Sequence, residues 1–167
     1  MKNFIIFTCI AISFLLVSQQ SNAQQTDYYR TAAGLKFGGY ENGISVKFFT
    51  TRDVALEGVL GFRNNGLVIT GLYEIHIEAF GIRELKFYYG AGAHIGSIGS
   101  GTYQRFEGGN QVYTKSQILL GADGVFGLEY FIPRSPIAVS LDLNPRVELA
   151  TGPFFDIAPG LGVKYAF

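Results

Sequence analysis

The sequence predicts an all-β protein, an eight-stranded antiparallel up-and-down transmembrane β-barrel. Eight segments alternate between apolar and polar side chains, the pattern of strands whose two faces meet different surroundings. Charged residues make up only 16% of the chain, against roughly 25% in soluble domains, while glycine occurs 22 times and aromatic residues reach 15%. The chain also finishes on an alternating apolar strand whose last residue is Phe167, whereas the ends of soluble domains are usually polar and frayed.

The start of the chain has the composition of a secretory signal peptide. Lys2 gives a short basic beginning, residues 4–17 are apolar, and Ser21-Asn22-Ala23 places small residues at positions −3 and −1 of a cleavage point. The apolar stretch is shorter than the roughly 20 residues of a membrane-spanning helix. We therefore expect a cleaved signal peptide at 1–23, a short periplasmic lead at 24–30 and the barrel at 31–167.

Turn residues separate the eight segments, among them Glu41-Asn42-Gly43 and Asn64-Asn65-Gly66. All but one of the connections are short enough for antiparallel hairpins, and the exception is the stretch 98–116. We find no helical periodicity, tandem repeat or linker, which predicts a single domain. The predicted strands cover 31–39, 43–51, 54–63, 67–80, 83–97, 117–131, 137–149 and 156–167.

The fifth segment illustrates how the alternation assigns the two faces of the wall. Leu85, Phe87 and Tyr89 share one face, and Lys86 and His94 share the other. Large apolar side chains recur over all eight segments, but the lumen of an eight-stranded barrel is just wide enough for side chains to fill. We therefore place the apolar face outside, in lipid, and favour a membrane barrel over a soluble barrel with its apolar face inside.

Acidic and basic side chains occur together on the inward face. A charge turned to lipid near the bilayer midplane would cost about 2–4 kcal/mol, so these residues face inward whatever their role. They can form an ion path or a polar ligand site, or a packed salt-bridge network in a lumen too narrow for a water column, and we favour the network. The predicted interior residues are Lys36, Lys47, Glu57, Glu74, His76, Glu78, Glu84, Lys86, His94, Asp123, Glu129, Asp142, Arg146, Glu148 and Lys164.

His76 and His94 are the two histidines of the chain. A hydrolase would also need a nucleophile within hydrogen-bond reach of a histidine, and no nucleophile motif surrounds Ser97 or Ser100. No known spacing of metal ligands is present either. We expect both histidines to pack in the interior, and we expect no catalysis, no cofactor and no metal. The formal net charge of zero gives no sign of a nucleic-acid partner.

The long connection 98–116 is the best candidate for a contact surface. Its residues Tyr103, Arg105, Phe106 and Tyr113 are of the types that carry binding energy at interfaces. The alternative is an exposed flexible loop without a fixed partner. Elsewhere, Pro145 interrupts an apolar strand, and because it lacks an N–H we expect a bulge there.

Four stretches together resemble the small eight-stranded outer-membrane β-barrel proteins, which are often described as porin-like. The stretches are 87–96 (FYYGAGAHIG), 121–130 (GADGVFGLEY), 140–145 (SLDLNP) and the ending Tyr165-Ala166-Phe167. The resemblance covers the whole mature chain and implies a location in the bacterial outer membrane. It also implies that Tyr165 and Phe167 belong to the C-terminal signal read by the barrel-assembly machinery.

The resemblance does not imply a reaction, because the family contains structural tethers, adhesins, a few lipid-modifying enzymes and many barrels without known activity. We expect a monomeric outer-membrane protein that contacts outer-membrane lipid and lipopolysaccharide. Its C-terminus would lie in the periplasm and 98–116 outside, where an extracellular partner could bind. The expected role is structural or surface-interacting, with a narrow filled lumen. The alternatives are a narrow channel or small-ligand-binding barrel, and a lipid-modifying enzyme.

Overall fold

The computed structural model describes residues 29–38, 42–63, 65–103, 109–151 and 154–167, so the predicted signal peptide and most of the predicted lead lie outside the described residues. All regular structure in these ranges is β. The strands are β1 Thr31–Gly38, β2 Asn42–Phe49, β3 Val54–Arg63, β4 Gly66–Ala79, β5 Ile82–Ile98, β6 Gly101–Tyr103, β7 Gln111–Tyr113, β8 Gln117–Phe131, β9 Ile137–Glu148 and β10 Phe154–Ala166. Among the described residues, no helix is long and apolar enough to cross a membrane.

Eight of the strands form one closed barrel in the order β1-β10-β9-β8-β5-β4-β3-β2, and every neighbouring pair is antiparallel. The prediction of an eight-stranded antiparallel barrel is confirmed, and each predicted barrel strand lies within two residues of its observed bounds. The long connection was expected to be irregular, but β6 and β7 pair within it as a separate two-stranded hairpin.

The barrel has two distinct ends. At the terminal end, β1 begins and β10 finishes, and the connections β2–β3, β4–β5 and β8–β9 are short. Ala32 pairs with Ala166 there, and the N–H of Phe167 donates to the carbonyl oxygen of Thr31 at 2.9 Å. At the loop end lies the β6–β7 hairpin. The first and last strands therefore close the sheet, with Ala32–Gly38 of β1 paired to Gly160–Ala166 of β10.

The expected bulge at Pro145 is wrong. Asp123 pairs with Arg146 and Phe126 with Leu143 in one continuous register, so the ladder is interrupted beside Pro145 but does not shift. The proline ring fits because Gly124 lies against it, where an added Cβ would come within 2.8 Å of Pro145 Cγ. The irregularity in this sheet lies instead in β4–β5, where the register shifts between Glu78 and Ala79.

Polarity across the wall is the reverse of that in a water-soluble barrel. Outward side chains such as Ile69 and Leu141 are 54% and 62% exposed, whereas the inward Lys47 and Glu129 are fully buried. Exposed large apolar residues occur on all eight barrel strands. The alternative of a barrel with its apolar face inside is therefore wrong, and the outer surface is that of a barrel surrounded by lipid.

Apolar clusters divide the lumen along its axis. We name them the terminal cap (Tyr29, Ala32, Phe49, Ala55 and Ala138), the middle cluster (Leu72, Tyr88 and Val125) and the loop cap (Val68, Ile98, Tyr113 and Leu119). Between them, the inward positions of the same strands carry charges. The order from end to end is thus an apolar cap, a charged layer, a partial apolar layer, a second charged layer and an apolar cap.

Candidate functional site

The charged layer next to the terminal cap is built around Lys47. Its Nζ lies 2.8 Å from Glu74 Oε2, 3.3 Å from Glu129 Oε1 and 3.4 Å from Glu57 Oε2, and it sits 4.4 Å from the centre of the Tyr88 ring. These partners come from β3, β4, β5 and β8. One ammonium group therefore connects β2 to four other strands across the lumen. We name this set, with Lys164 and His76, the terminal charged layer.

The other members of this layer pair with the same carboxylates. Lys164 Nζ lies 3.2 Å from Glu57 Oε1, and His76 Nε2 lies 3.5 Å from Glu129 Oε2. The His76 ring stacks on Tyr88, with centroids 5.1 Å apart and an interplanar angle of 11°. A buried ion pair is favourable only when further contacts satisfy its remaining polar atoms. In this layer Glu74 Oε1 and His76 Nδ1 have no hydrogen-bond partner among the described residues, so enclosing this charge is costly.

On one side of the lumen, polar side chains lie beside the middle cluster and contact one another. Lys36 Nζ lies 3.3 Å from Asp142 Oδ2 and donates to Asn144 Oδ1 at 3.4 Å. The hydroxyl of Tyr88 donates to Asp142 as well. These residues lie on β1, β5 and β9, while Leu72 and Val125 fill the space next to β4 and β8.

The second charged layer, which we name the loop-side layer, is centred on His94. Its Nδ1 lies 2.7 Å from Asp123 Oδ2, and its Nε2 lies 3.0 Å from Glu148 Oε2. Arg146 Nε donates to the other oxygen of Asp123 at 2.5 Å, and its Nη2 donates to Thr70 Oγ1 at 3.3 Å. The imidazole thus bridges β8 and β9 from its place on β5.

Backbone register creates the room for this imidazole. His94 pairs with Gly121, where an added Cβ would lie 2.6 Å from the His94 ring. Gly121 in turn pairs with Glu148 on β9. Through Oε1, Glu148 also accepts hydrogen bonds from the backbone N–H of Leu120 at 2.9 Å and from that of Ala150 at 3.3 Å. The carboxylate therefore satisfies amide groups at the place where the β8–β9 ladder ends.

The structure brings most of the predicted interior residues into the lumen. Buried there are Lys36, Lys47, Glu57, Glu74, His76, His94, Asp123, Glu129, Asp142, Arg146, Glu148 and Lys164. Glu78 is a correction, since it is exposed, and Glu84 and Lys86 are only half-buried. The cause is the register shift after Glu78, which leaves 83–85 without partners on β4 at the terminal end.

Two aromatic residues belong to the site although sequence analysis did not include them in it. Tyr88 falls on the polar face of its strand, so the alternation of that strand could have placed its side chain inside the barrel. Tyr29 lies before the first alternating segment, so no pattern predicted its position, yet it is buried. Its hydroxyl donates to Glu129 Oε2 at 3.1 Å, and its ring packs edge-on against Phe49 at 5.0 Å.

The predicted contact loop is only partly described, because Arg105 and Phe106 lie outside the described residues. Tyr113 is a correction: it is only 8% exposed. Its ring belongs to the loop cap and lies 5.6 Å from the half-buried Tyr103, and its hydroxyl donates to Thr151 Oγ1 at 3.2 Å. The ring packs against apolar side chains at the mouth of the barrel. The polar composition of the loop did not predict this contact.

His94 is not arranged as a general base for Ser97. Both ring nitrogens of His94 lie against carboxylates, and Ser97 is exposed on the outer face while His94 is buried inside. In the described part of the chain, no three histidine, cysteine or acidic side chains converge in a way that could hold a metal ion.

Tyr165 and Phe167 both project outward at the terminal end. They are 47% and 59% exposed, and their ring centroids lie 5.9 Å apart. The position is accessible from outside the barrel, and recognition by the assembly machinery stays a prediction.

Comparisons with known proteins give a likeness in structure. No family model matches the chain, and no curated protein matches it. Among solved structures, the chain is similar to neisserial surface protein A, with 13% sequence identity and a TM-score of 0.49 over 82% of this chain and 93% of that chain. The strand pairing of this chain itself establishes its closed eight-stranded barrel.

Proposed function

We propose that the chain is an integral protein of the bacterial outer membrane with a sealed lumen and a structural or surface-interaction role. The observation that carries this proposal is the reversed polarity of the wall. Burying lysine and glutamate while exposing large apolar side chains on every barrel strand is unfavourable in water and favourable in a bilayer. Outer-membrane lipid and lipopolysaccharide would then cover the exposed apolar surface.

The caps and the ion pairs together support the proposal of a sealed lumen. Apolar rings close both ends, and between them the charged groups lie within hydrogen-bond distance of one another rather than around open space. A continuous column of water would have to cross both caps. The barrel therefore serves as a rigid scaffold, with its specificity at the loop end.

The loop end is the proposed contact surface. Tyr113 fixes β7 to the barrel, and Val112 and Ile118 beside it are 62% and 67% exposed. Loops on rigid scaffolds are common binding sites. Short connections at the other end are typical of the periplasmic side of such barrels, which would place the hairpin outside the cell.

Two measurements test the proposal. Fractionation should recover the protein with outer membranes, and unboiled samples should migrate differently from boiled ones on gels because the closed barrel resists detergent. In planar bilayers the purified protein should give no steady conductance. Recovery in a soluble fraction would overturn the location, and steady single-channel currents would overturn the sealed lumen.

A narrow channel is the second candidate, favoured by the polar contacts of Lys36, Asp142 and Asn144 past the middle cluster. The variant Phe49→Ala with Tyr113→Ala distinguishes the two functions. If the caps seal the lumen, conductance should appear only in the double variant. If the wild type already conducts and the variant changes little, the caps do not control passage.

A further inference from the structure

The ends of β9, β10, β1 and β2 lie side by side at the terminal end, on both sides of the barrel seam. The carbonyl oxygen of Pro136, just before β9, accepts the backbone N–H of Ala166 on β10 at 2.7 Å. The carbonyl oxygen of Arg30, just before β1, accepts the N–H of Phe49 on β2 at 2.8 Å. Because β10 lies between β9 and β1, the backbones at Pro136 and Arg30 are two strand spacings, about 10 Å, apart. We name these strand ends, with the β2–β3 and β8–β9 turns that adjoin them, the seam rim.

Aromatic rings cover the outside of the seam rim. Phe48 on β2, Tyr165 on β10 and the following Phe167 are all exposed there. In a membrane barrel, aromatic side chains near the ends of the wall collect at the level of the lipid headgroups. With the barrel in a bilayer, the seam rim therefore lies at the depth of the lipid phosphates.

Arg30 places its charge on this outer surface. Phe48 faces outward, between the buried side chains of Lys47 and Phe49, and the guanidinium carbon of Arg30 lies 5.5 Å from the centre of the Phe48 ring. The face of an aromatic ring attracts a cation, so Phe48 holds the guanidinium beside the wall and not over the mouth of the lumen. At this depth a guanidinium can donate paired hydrogen bonds to the oxygens of a phosphate.

The exposed side chains of the seam rim carry a surplus of positive charge. Arg134 is exposed in the β8–β9 turn, and Arg52 is exposed in the β2–β3 turn. Asp53 follows Arg52 directly and offsets its charge, and it is the only exposed acidic side chain among the described residues of the seam rim. The surplus therefore comes from Arg30 and Arg134, and it matches a ligand with a net negative charge.

We propose that Arg30, Phe48 and Arg134 form a binding site for an anionic phospholipid at the terminal end of the barrel. The proposal rests on the proposed function, because it requires lipid around the outer wall. The lipid phosphate accepts hydrogen bonds from the Arg30 guanidinium, and Arg134 adds positive charge from the neighbouring turn. The acyl chains lie below Phe48 along the exposed apolar side chains of Ile44 and Val46 on the same strand.

A tryptophan placed in the site can report which lipid occupies it, because the chain contains no tryptophan. Phe48→Trp keeps an aromatic ring beside Arg30. The variant is folded into phosphatidylcholine vesicles that contain increasing fractions of brominated phosphatidylglycerol or of brominated phosphatidylcholine, whose bromine atoms quench a tryptophan that they contact. The binding constant obtained from quenching should be at least about twofold larger for phosphatidylglycerol, since basic residues at a membrane surface attract anionic headgroups.

Charge variants of the reporter protein show whether the preference belongs to this site. Arg30→Gln should reduce it, and adding Arg134→Asn should abolish it. Both variants should fold, because Arg30 contacts Phe49 through its backbone, and because asparagine tolerates the positive φ of 62° at Arg134. Lys115→Gln removes an exposed positive charge at the loop end and should leave the preference unchanged.

The possible outcomes separate this site from the proposed function. Equal binding constants for the two brominated lipids in the Phe48→Trp protein would overturn the site and leave the barrel in lipid. An equal loss of preference in Lys115→Gln and Arg30→Gln would also overturn it, because the preference would then come from the total charge of the protein. Quenching by neither lipid would overturn both the site and the proposed location in a bilayer.

Discussion

Lys47 is the residue on which most buried charge in the terminal charged layer depends. Three carboxylates lie within 3.4 Å of its Nζ, and its side chain has no exposed surface. Such an ion cluster contributes little net stability by itself, because enclosing each charge is costly. Removing one member of the cluster is strongly destabilising, since the remaining charges stay buried without their partner.

Lys47→Met should therefore destabilise the barrel strongly. Removing one partner of a buried pair costs about 3–5 kcal/mol, and here three carboxylates lose a shared partner. Urea unfolding in lipid vesicles, followed by gel mobility, measures the change. Adding Glu74→Gln to Lys47→Met should restore part of the loss by removing one unpaired negative charge. Equal stability of Lys47→Met and wild type would mean that water reaches and solvates this layer.

Gly92 and Gly71 give a matched pair on neighbouring strands. Gly92 points inward, and an added Cβ would overlap the carbonyl oxygen of Gly71, while Gly71 points outward and an added Cβ would meet nothing within 4 Å. Gly92→Ala should cost about 1–3 kcal/mol or prevent closure, because neighbouring backbone would have to move. Gly71→Ala should change the free energy of unfolding by less than about 0.5 kcal/mol in the same vesicle assay. Equal effects would contradict the assigned faces.

At the scale of elements, alternation alone predicted the barrel strands well. A period of two is a strong signal when one face meets lipid and the other meets buried charge, so β3 and β8 match their predicted bounds. The features that were missed depend on contacts between distant elements. The hairpin of β6 and β7 has too few residues for a periodic signal, and Tyr113 looks like a surface residue until Ile98 and Leu119 surround it.

Strand β10 carries the prediction on assembly. Deleting Phe167, or replacing it with Asp, should lower the amount of folded barrel in the outer membrane, because it removes the aromatic terminus and disturbs closure with β1. The ratio of heat-modifiable to unfolded protein on unboiled gels measures this. Phe80→Asp is a useful control, since Phe80 is also exposed at the terminal end but lies in a turn. Unchanged abundance of the Phe167 variants would remove the support for a terminal signal.

The whole molecule is defined by the reversal of its two faces. Composition and alternation were sufficient to predict that reversal, together with most of the interior network. They could not show that the network is divided into two layers, because the division depends on Leu72 and Val125 meeting Tyr88 across the lumen. Sequence order places these residues far apart, and only the closed sheet brings them together.

Leu128 and Glu129 test the reversal at adjacent positions. Leu128 is 37% exposed on the outer face, while Glu129 is fully buried among lysines. Leu128→Arg should destabilise the barrel by about 2–4 kcal/mol if the site lies near the bilayer midplane. Leu128→Cys should react with a lipid-soluble maleimide and resist a water-soluble one in intact vesicles. The opposite labelling pattern would show that the faces are assigned the wrong way round.

The contact between Tyr29 and Glu129 sets an order of events during folding. The two residues are one hundred positions apart, and Tyr29 lies two residues before the start of β1. Neighbouring hairpins can form early, but the seam between β1 and β10 must wait for opposite ends of the chain to meet, which is the costliest loop to close. Until then Lys47 and its carboxylates line an open, wet cleft, and Tyr29 has no enclosed pocket. The Tyr29 ring can be excluded from water only when the seam between β1 and β10 has closed. Its burial therefore marks the step at which an open sheet becomes a closed barrel.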